Sequence, residues 1–154
     1  MTNNLKIKDT TIQLIVKFEG CKLKAYKLDG DCWTIGYGHT GKEVHEGMTI
    51  SQTQAENYLR EDLKERQNFL NKVIKTQIYQ NHFDALMSFL YNRGSGNFLK
   101  TRLYKLLNEG KLYEAGNAFL DPENWKFSKF NTQIQQSLKR RREAEKEIFL
   151  TPYF

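Results

Sequence analysis

Residues 18–40 read Phe18-Glu19-Gly20-Cys21-Lys22-Leu23-Lys24-Ala25-Tyr26-Lys27-Leu28-Asp29-Gly30-Asp31-Cys32-Trp33-Thr34-Ile35-Gly36-Tyr37-Gly38-His39-Thr40. They hold a helix end, a hairpin and a dense set of reactive side chains. Immediately upstream, Asp9 or Thr10 can cap a helix whose Leu14, Ile15 and Phe18 share one face, and Gly20 follows as a stop signal. Glu19 therefore falls at the carboxyl end of that helix. From Lys22 onward the pattern turns β-prone: Leu23 to Tyr26 and Cys32 to Tyr37 flank Leu28-Asp29-Gly30-Asp31, whose Asp-Gly pair is a hairpin turn signal. Gly36, Gly38, Gly41 and Gly47 then crowd a segment that either turns repeatedly or adds a short third strand.

Beyond that block the chain reads as helical. Ser51 with Gln54 three positions on forms a capping box, opening a helix of about six turns marked by Ala55, Leu59, Leu63, Arg66 and Leu70. Four further helices are predicted: Asn81 to Arg93 with Gly94 as stop, Phe98 to Asn108 with Gly110 as stop, Leu112 to Leu120, and Thr132 to Leu150. Met48, Met87 and the Phe83, Leu86, Phe89, Leu90 stripe recur at core spacing. The predicted class is α+β, mostly helical, in one domain over 1–154. It comprises a small β-hairpin lobe over about 14–50, a long connecting helix over about 51–78 and a helical lobe over about 79–154, with ligand space between the lobes.

Composition narrows the class. A chain of 154 residues can bury roughly two-thirds of its unfolded surface. Its 39% apolar, 13% aromatic and 27% charged content is that of an ordinary globular protein. Neither Leu14-Ile15-Val16 nor Leu86 to Tyr91 approaches the length of a membrane span, so no stable membrane insertion is expected. Met1 to Lys6 show no basic start followed by an apolar run, so no export signal is read there. Cys21 and Cys32 are expected as reduced thiols, although a bridge across the hairpin is geometrically conceivable. A net charge of +6 favours polyanions, a set that includes nucleic acid, anionic lipid and acidic cell walls.

The reactive groups suggest acid chemistry on a sugar polymer. Cleaving a glycoside needs a protonated carboxylic acid beside the leaving oxygen and a second group, on the opposite face, that stabilises positive charge or activates water. Glu19, beside apolar neighbours at a helix end, could have its acid form favoured by desolvation and by the helix dipole. Asp29 and Asp31 on the turn are candidate second carboxylates, and Thr34 could hold a water with its hydroxyl. A solvated helix-end acid and a turn-forming aspartate remain the plain alternatives for Glu19 and Asp29. His39 reads as a structural hydrogen-bonding residue, because neither His45 nor His82 completes a metal site at ligand spacing; no metal or cofactor is called for.

Glu19-Gly20, Ala25-Tyr26 and Thr34-Ile35-Gly36-Tyr37-Gly38-His39-Thr40 resemble, in order and spacing, the active-site block of the phage-type lysozymes, glycoside hydrolase family 24. Asp84-Ala85-Leu86 through Phe89, Asn92-x-Gly94, Phe98-x-x-Thr101 and Arg141-Arg142-x-Ala144-Glu145 extend the resemblance from about Leu14 to Leu150. The resemblance implies a helix-rich two-lobe fold and an inverting muramidase, a lysozyme that cuts the β-1,4 bond between N-acetylmuramic acid and N-acetylglucosamine in peptidoglycan. In it, Glu19 matches the general acid and Thr34 the water-positioning threonine. The family aspartate falls at Leu28, so either Asp29, with Asp31 further along, supplies the carboxylate, or Glu19 and Thr34 suffice with the second carboxylate weakened or absent; Asp29 is the favoured replacement. The resemblance also implies that Thr40, Tyr91 and Thr101 contact the sugar chain, that Asn117 falls near a further contact, and that His39 supports the site from behind. Helix packing for Tyr91 and an ordinary helix position for Thr101 stand beside those roles.

The implied biology is that of a phage endolysin: a monomer made in the host cytoplasm that acts at the wall after a separate holin-type pore opens the membrane. Leu28 at the aspartate position motivates an alternative, a non-catalytic wall-binding relative. A third reading, a nucleic-acid-binding domain, rests on charge alone. The run Lys139-Arg140-Arg141-Arg142 continues into Glu143, Glu145 and Glu147, which reads as a solvated, salt-bridged helix face and not as a nucleic-acid patch.

Overall fold

Strand pairing begins where the hairpin was expected. In the computed structural model, which describes residues 3–27 and 32–153, β1 (Lys22–Lys27) and β2 (Trp33–Gly36) run antiparallel, and β3 (His39–Thr40) adds to β2. The turn carrying Leu28, Asp29 and Asp31 lies outside the described residues. Tyr26 pairs with Thr34, and Thr34 with Thr40. Directly opposed residues of an antiparallel sheet point to one face, so these three hydroxyl-bearing side chains form a row. Ile35 and its partner His39 share the other face and are buried. Gly36 and Gly38 adopt φ of 67° and 90°, a region that side chains rarely enter, and so permit the sharp return from β2 to β3.

The helices are α1 (Asp9–Phe18), α2 (Gln52–Val73), α3 (Gln80–Arg93), α4 (Ser95–Phe98), α5 (Arg102–Asn108), α6 (Leu112–Ala118) and α7 (Thr132–Leu150). Ser51 caps α2 as its sequence requires: its Oγ accepts from Gln54 N–H at 3.1 Å, and the Gln54 side chain accepts from Ser51 N–H at 2.8 Å. Two expectations need correction. Lys8, not Asp9 or Thr10, holds the cap position of α1, where its N–H donates to Thr11 Oγ1 at 3.0 Å. The single helix expected over Phe98 to Asn108 is broken. Thr101 takes an extended backbone and caps α5, its hydroxyl accepting from Tyr104 N–H at 3.1 Å.

Every residue of α3 from Phe83 to Leu90 is buried. A helix covered on all sides needs neighbours on all sides, and α3 packs against α1, α2, α4 and α7. Its buried polar groups are all partnered: Asp84 accepts from Thr11 at 2.5 Å, from Gln80 at 2.9 Å and from Tyr153 at 2.8 Å. This places α1 with the helices and not with the sheet, although the sequence reading grouped residues from about 14 onward with the β-containing lobe. The buried Ile15 belongs to the same apolar cluster as the α3 residues, and Leu14 lies near Ala144 and Ile148 of α7. α2 touches both α3 and the sheet, so it joins the two parts as expected of a connecting helix. No helix among the described residues is long and apolar enough to cross a membrane.

Phe89, fully buried and edge-on to Phe98 and Phe119 at 6.0 and 5.9 Å, sits at the centre of this packing. Phe89→Ala is expected to lower unfolding stability by about 3–5 kcal/mol in urea titrations with little change in slope. Tyr113→Ala, at a site 70% exposed, is expected to change it by no more than about 0.5 kcal/mol.

Candidate active-site cleft

Glu19 is the residue at which α1 ends. Its N–H still donates to Ile15 O at 3.0 Å, but its own backbone is extended, which turns the side chain off the helix axis. Its carboxylate Oε1 accepts from Arg141 Nη1 at 2.7 Å. The apolar surroundings expected for this acid are thus corrected: a guanidinium from α7 holds it, because α7 lies across α3 close to the end of α1.

Arg141 is itself anchored. It donates from Nη2 to the Ser88 carbonyl at 3.1 Å and from Nε to Ser88 Oγ at 3.3 Å, and its guanidinium lies over Phe18 at 5.1 Å. Glu145, fully buried, accepts from Ser88 Oγ at 2.6 Å and from Arg142 Nη1 at 2.7 Å, and lies 3.4 Å from Arg141 Nε. Arg142, also fully buried, reaches Asn92 and covers Phe89 at 4.7 Å. Burial pulls Arg142 down to about 10, which leaves it charged at neutral pH, while burial pushes Glu145 up against the two guanidiniums beside it. The reading of Lys139–Arg142 as a solvated face is therefore overturned for Arg141 and Arg142: both are buried against Glu145, and Arg141 reaches out to the partly exposed Glu19.

A cavity of about 400 Å³ opens beside Glu19, lined by Glu19, Gly38, Thr40, Asp62, Glu65, Arg66, Tyr91 and Asn92. A larger hollow of about 470 Å³ at Tyr79, His82 and Tyr153 is mostly apolar and has no carboxylate among its described lining residues. Thr40 stands on the cleft wall, and Thr34 lies on the same face of the sheet through their pairing. The Thr34 hydroxyl donates to the Cys32 carbonyl at 3.2 Å, which leaves its oxygen lone pairs open to a donor such as water. Tyr91 reaches the cleft from α3. Its hydroxyl donates to the Tyr37 carbonyl, and burial raises it far above an ordinary phenol. Thr101 is not among the cleft-lining residues, and its hydroxyl is engaged twice, accepting from Tyr104 N–H as the cap of α5 and donating to Phe98 O at 2.7 Å. Asn117 is half-buried in α6, also away from the lining set. Asp29 lies outside the described residues. Cys21 and Cys32 are free thiols.

His39 backs this wall. Its Nδ1 lies 2.9 Å from Asp62, its Nε2 lies 2.6 Å from Glu43, and its ring stacks on Tyr58 at 4.0 Å. With a carboxylate at each nitrogen, the ring is placed to donate from both, as an imidazolium does. Burial opposes that charge, but the hydrogen bonds to Glu43 and Asp62 outweigh it and raise His39 above its ordinary value. Sequence reading missed Asp62, Asn92, Arg141 and Glu145 as groups around the site. The i,i+4 spacing of Arg141 and Glu145 was the available signal, and it reads equally as a surface ion pair.

The sequence pattern of the Phage lysozyme family matches residues 16–145. The chain belongs to the phage lysozyme family. It is 40% identical over 149 residues to an endolysin of Bacillus phage B103, covering 96% of this chain but 55% of that relative. It thus spans little more than half the length of the first curated relatives it matches. Among solved structures, the muramidase domain of SpmX from Asticaccaulis excentricus matches with a TM-score of 0.86 and 38% identity, covering 97% of this chain and all of that one. The endolysin of Escherichia coli O157:H7 phage FAHEc1 matches with a TM-score of 0.86 and 31% identity, covering 100% of this chain and 99% of that one. The mostly helical lysozyme-like fold read from the sequence is the fold observed.

A raised folded-state value for His39 fixes the sign of its pH dependence. Its ion pairs contribute stability that is fully present below the ordinary histidine value of 6.5 and is lost as pH rises through the raised one. The stability gap between the native chain and His39→Asn is therefore expected to be widest near about pH 5.5 and to narrow toward about pH 9 in denaturant titrations. A constant gap would mean that the imidazolium pairs contribute nothing.

Proposed function

We propose that this chain is a lysozyme, a muramidase of glycoside hydrolase family 24 type that hydrolyses the β-1,4 bond between N-acetylmuramic acid and N-acetylglucosamine in peptidoglycan and serves as a phage endolysin. The observation that carries the reading is Glu19, anchored by Arg141 at the rim of a cleft whose other wall presents Thr40 and the sheet face shared with Thr34. Relatives named as endolysins and a neighbour named as a muramidase domain support the reading.

In the proposed reaction Glu19 gives its proton to the glycosidic oxygen as that bond breaks. A water held by the Thr34 oxygen attacks the anomeric carbon from the opposite face, with Asp29 as the base that takes its proton. Net hydrolysis consumes one water: Asp29 releases its proton to solvent, and solvent returns one to Glu19. Attack by water on the face away from the leaving group inverts the anomeric centre and requires acid and base about 6.5–9.5 Å apart. Thr40 and Tyr91 are proposed as sugar contacts on the cleft, with Thr101 and Asn117 as contacts further along the helical part. On this proposal the chain is a monomer made in the host cytoplasm that reaches the wall through a separate holin-type pore.

Glu19→Gln keeps an oxygen for Arg141 but has no proton to give. It is expected to lower reducing-end release from purified peptidoglycan by at least about a hundredfold with an unchanged melting profile. Thr34→Ala is expected to lose activity that Thr34→Ser recovers, because serine restores the hydroxyl. Undiminished release by Glu19→Gln would end the assignment.

A further inference from the structure

Two of the charged groups around the cleft are paired and two are not. Glu19 is held by Arg141, and Asp62 by His39. Arg66, which lines the same cleft from α2, has no carboxylate at ion-pair distance among the described residues. Glu65 beside it is exposed and equally unpaired among them, since adjacent helix positions point in different directions.

Arg66 is nevertheless held in place. Its Nη1 donates to the Asp62 carbonyl one turn back at 2.7 Å, and its guanidinium lies 5.0 Å from the centre of the Tyr91 ring. Tyr91 is fixed in turn by its hydroxyl on the Tyr37 carbonyl. The Nε of Arg66 is shielded from solvent with no acceptor. A guanidinium already ordered on an aromatic ring loses little freedom on meeting a ligand, and its planar set of donors matches a carboxylate. Its partial burial keeps the attraction from being fully screened.

We infer that Arg66 is a substrate-binding residue that takes a carboxylate carried beside the scissile bond of the glycan strand. The assignment rests on the hydrolytic reading for where the strand lies, and deepens it. The anionic groups beside each muramoyl ring of peptidoglycan are carboxylates: those of the stem peptide where it is attached, and that of the lactyl group where the peptide has been removed. Either presents the same chemistry to a guanidinium on the cleft wall.

The test measures binding without turnover, by cosedimentation of Glu19→Gln and of Glu19→Gln with Arg66→Gln on three purified walls: intact, intact with carboxylates converted to methylamides, and amidase-stripped strands that keep only the lactyl carboxylate. The Arg66→Gln change is expected to weaken binding about tenfold on the intact wall and not on the methylamidated one. Arg66→Lys, which keeps the charge without the fork, is expected to fall between. Loss on stripped strands as well means that Arg66 takes either carboxylate; loss confined to the intact wall assigns the stem peptide. An equal loss on intact and methylamidated walls, or no loss on any wall, overturns the inference. Reducing-end release by the native chain is measured alongside. A chain that releases none while the Arg66 difference persists refutes hydrolysis and leaves the carboxylate contact standing.

Discussion

The arrangement depends on a carboxylate buried without any solvent contact. Glu145 on α7 sits among Arg141, Arg142 and the Ser88 hydroxyl of α3. Ions this deep are costly to desolvate, and removing one partner of such a set typically costs about 3–5 kcal/mol, because the remaining charge is left uncompensated. The cluster therefore tolerates essentially one mutual placement of α7 and α3. Arg141 carries that placement outward to Glu19, where α1 ends. The acid's position is thus decided by a network whose other members lie inside the helical core.

A second tie fixes the opposite wall. His39 on β3 joins Asp62 on α2, so the sheet is fastened to the connecting helix by a charged hydrogen bond and by stacking on Tyr58. Tyr91 then links α3 back to the sheet through the Tyr37 carbonyl. Glu19 and the row of Tyr26, Thr34 and Thr40 belong to different elements, and the fastenings between those elements keep the cleft between them open at a defined width. Apolar packing around α3 supplies most of the stability, while these polar links define where its surface groups stand.

Much of this was legible from local signals. The Ser51–Gln54 box and Gly94 after α3 act at the positions where their side chains or their lack of one require. Glu19 at a helix end and the strand pair were readable because cap, stop and β-prone runs are local properties. Arg141 and Glu145 were not readable, since a charged i,i+4 pair looks the same on an exposed helix as on one lying against a polar cavity. Arg66 stood in the sequence as one mark of an apolar stripe; only the long-range approach of α3 to α2 shows that it lies on Tyr91. Thr101 fooled the helix reading because its capping backbone depends on α4 ending where it does.

The central claim is that Glu145 and Arg141 act on Glu19 as a unit. A double-mutant cycle in kcat/KM with Glu145→Gln and Arg141→Lys tests it most directly. The account predicts strong coupling: once either residue is replaced, replacing the other costs little more. Two independent losses that multiply in the double variant would contradict it, and would place Glu145 in the fold alone.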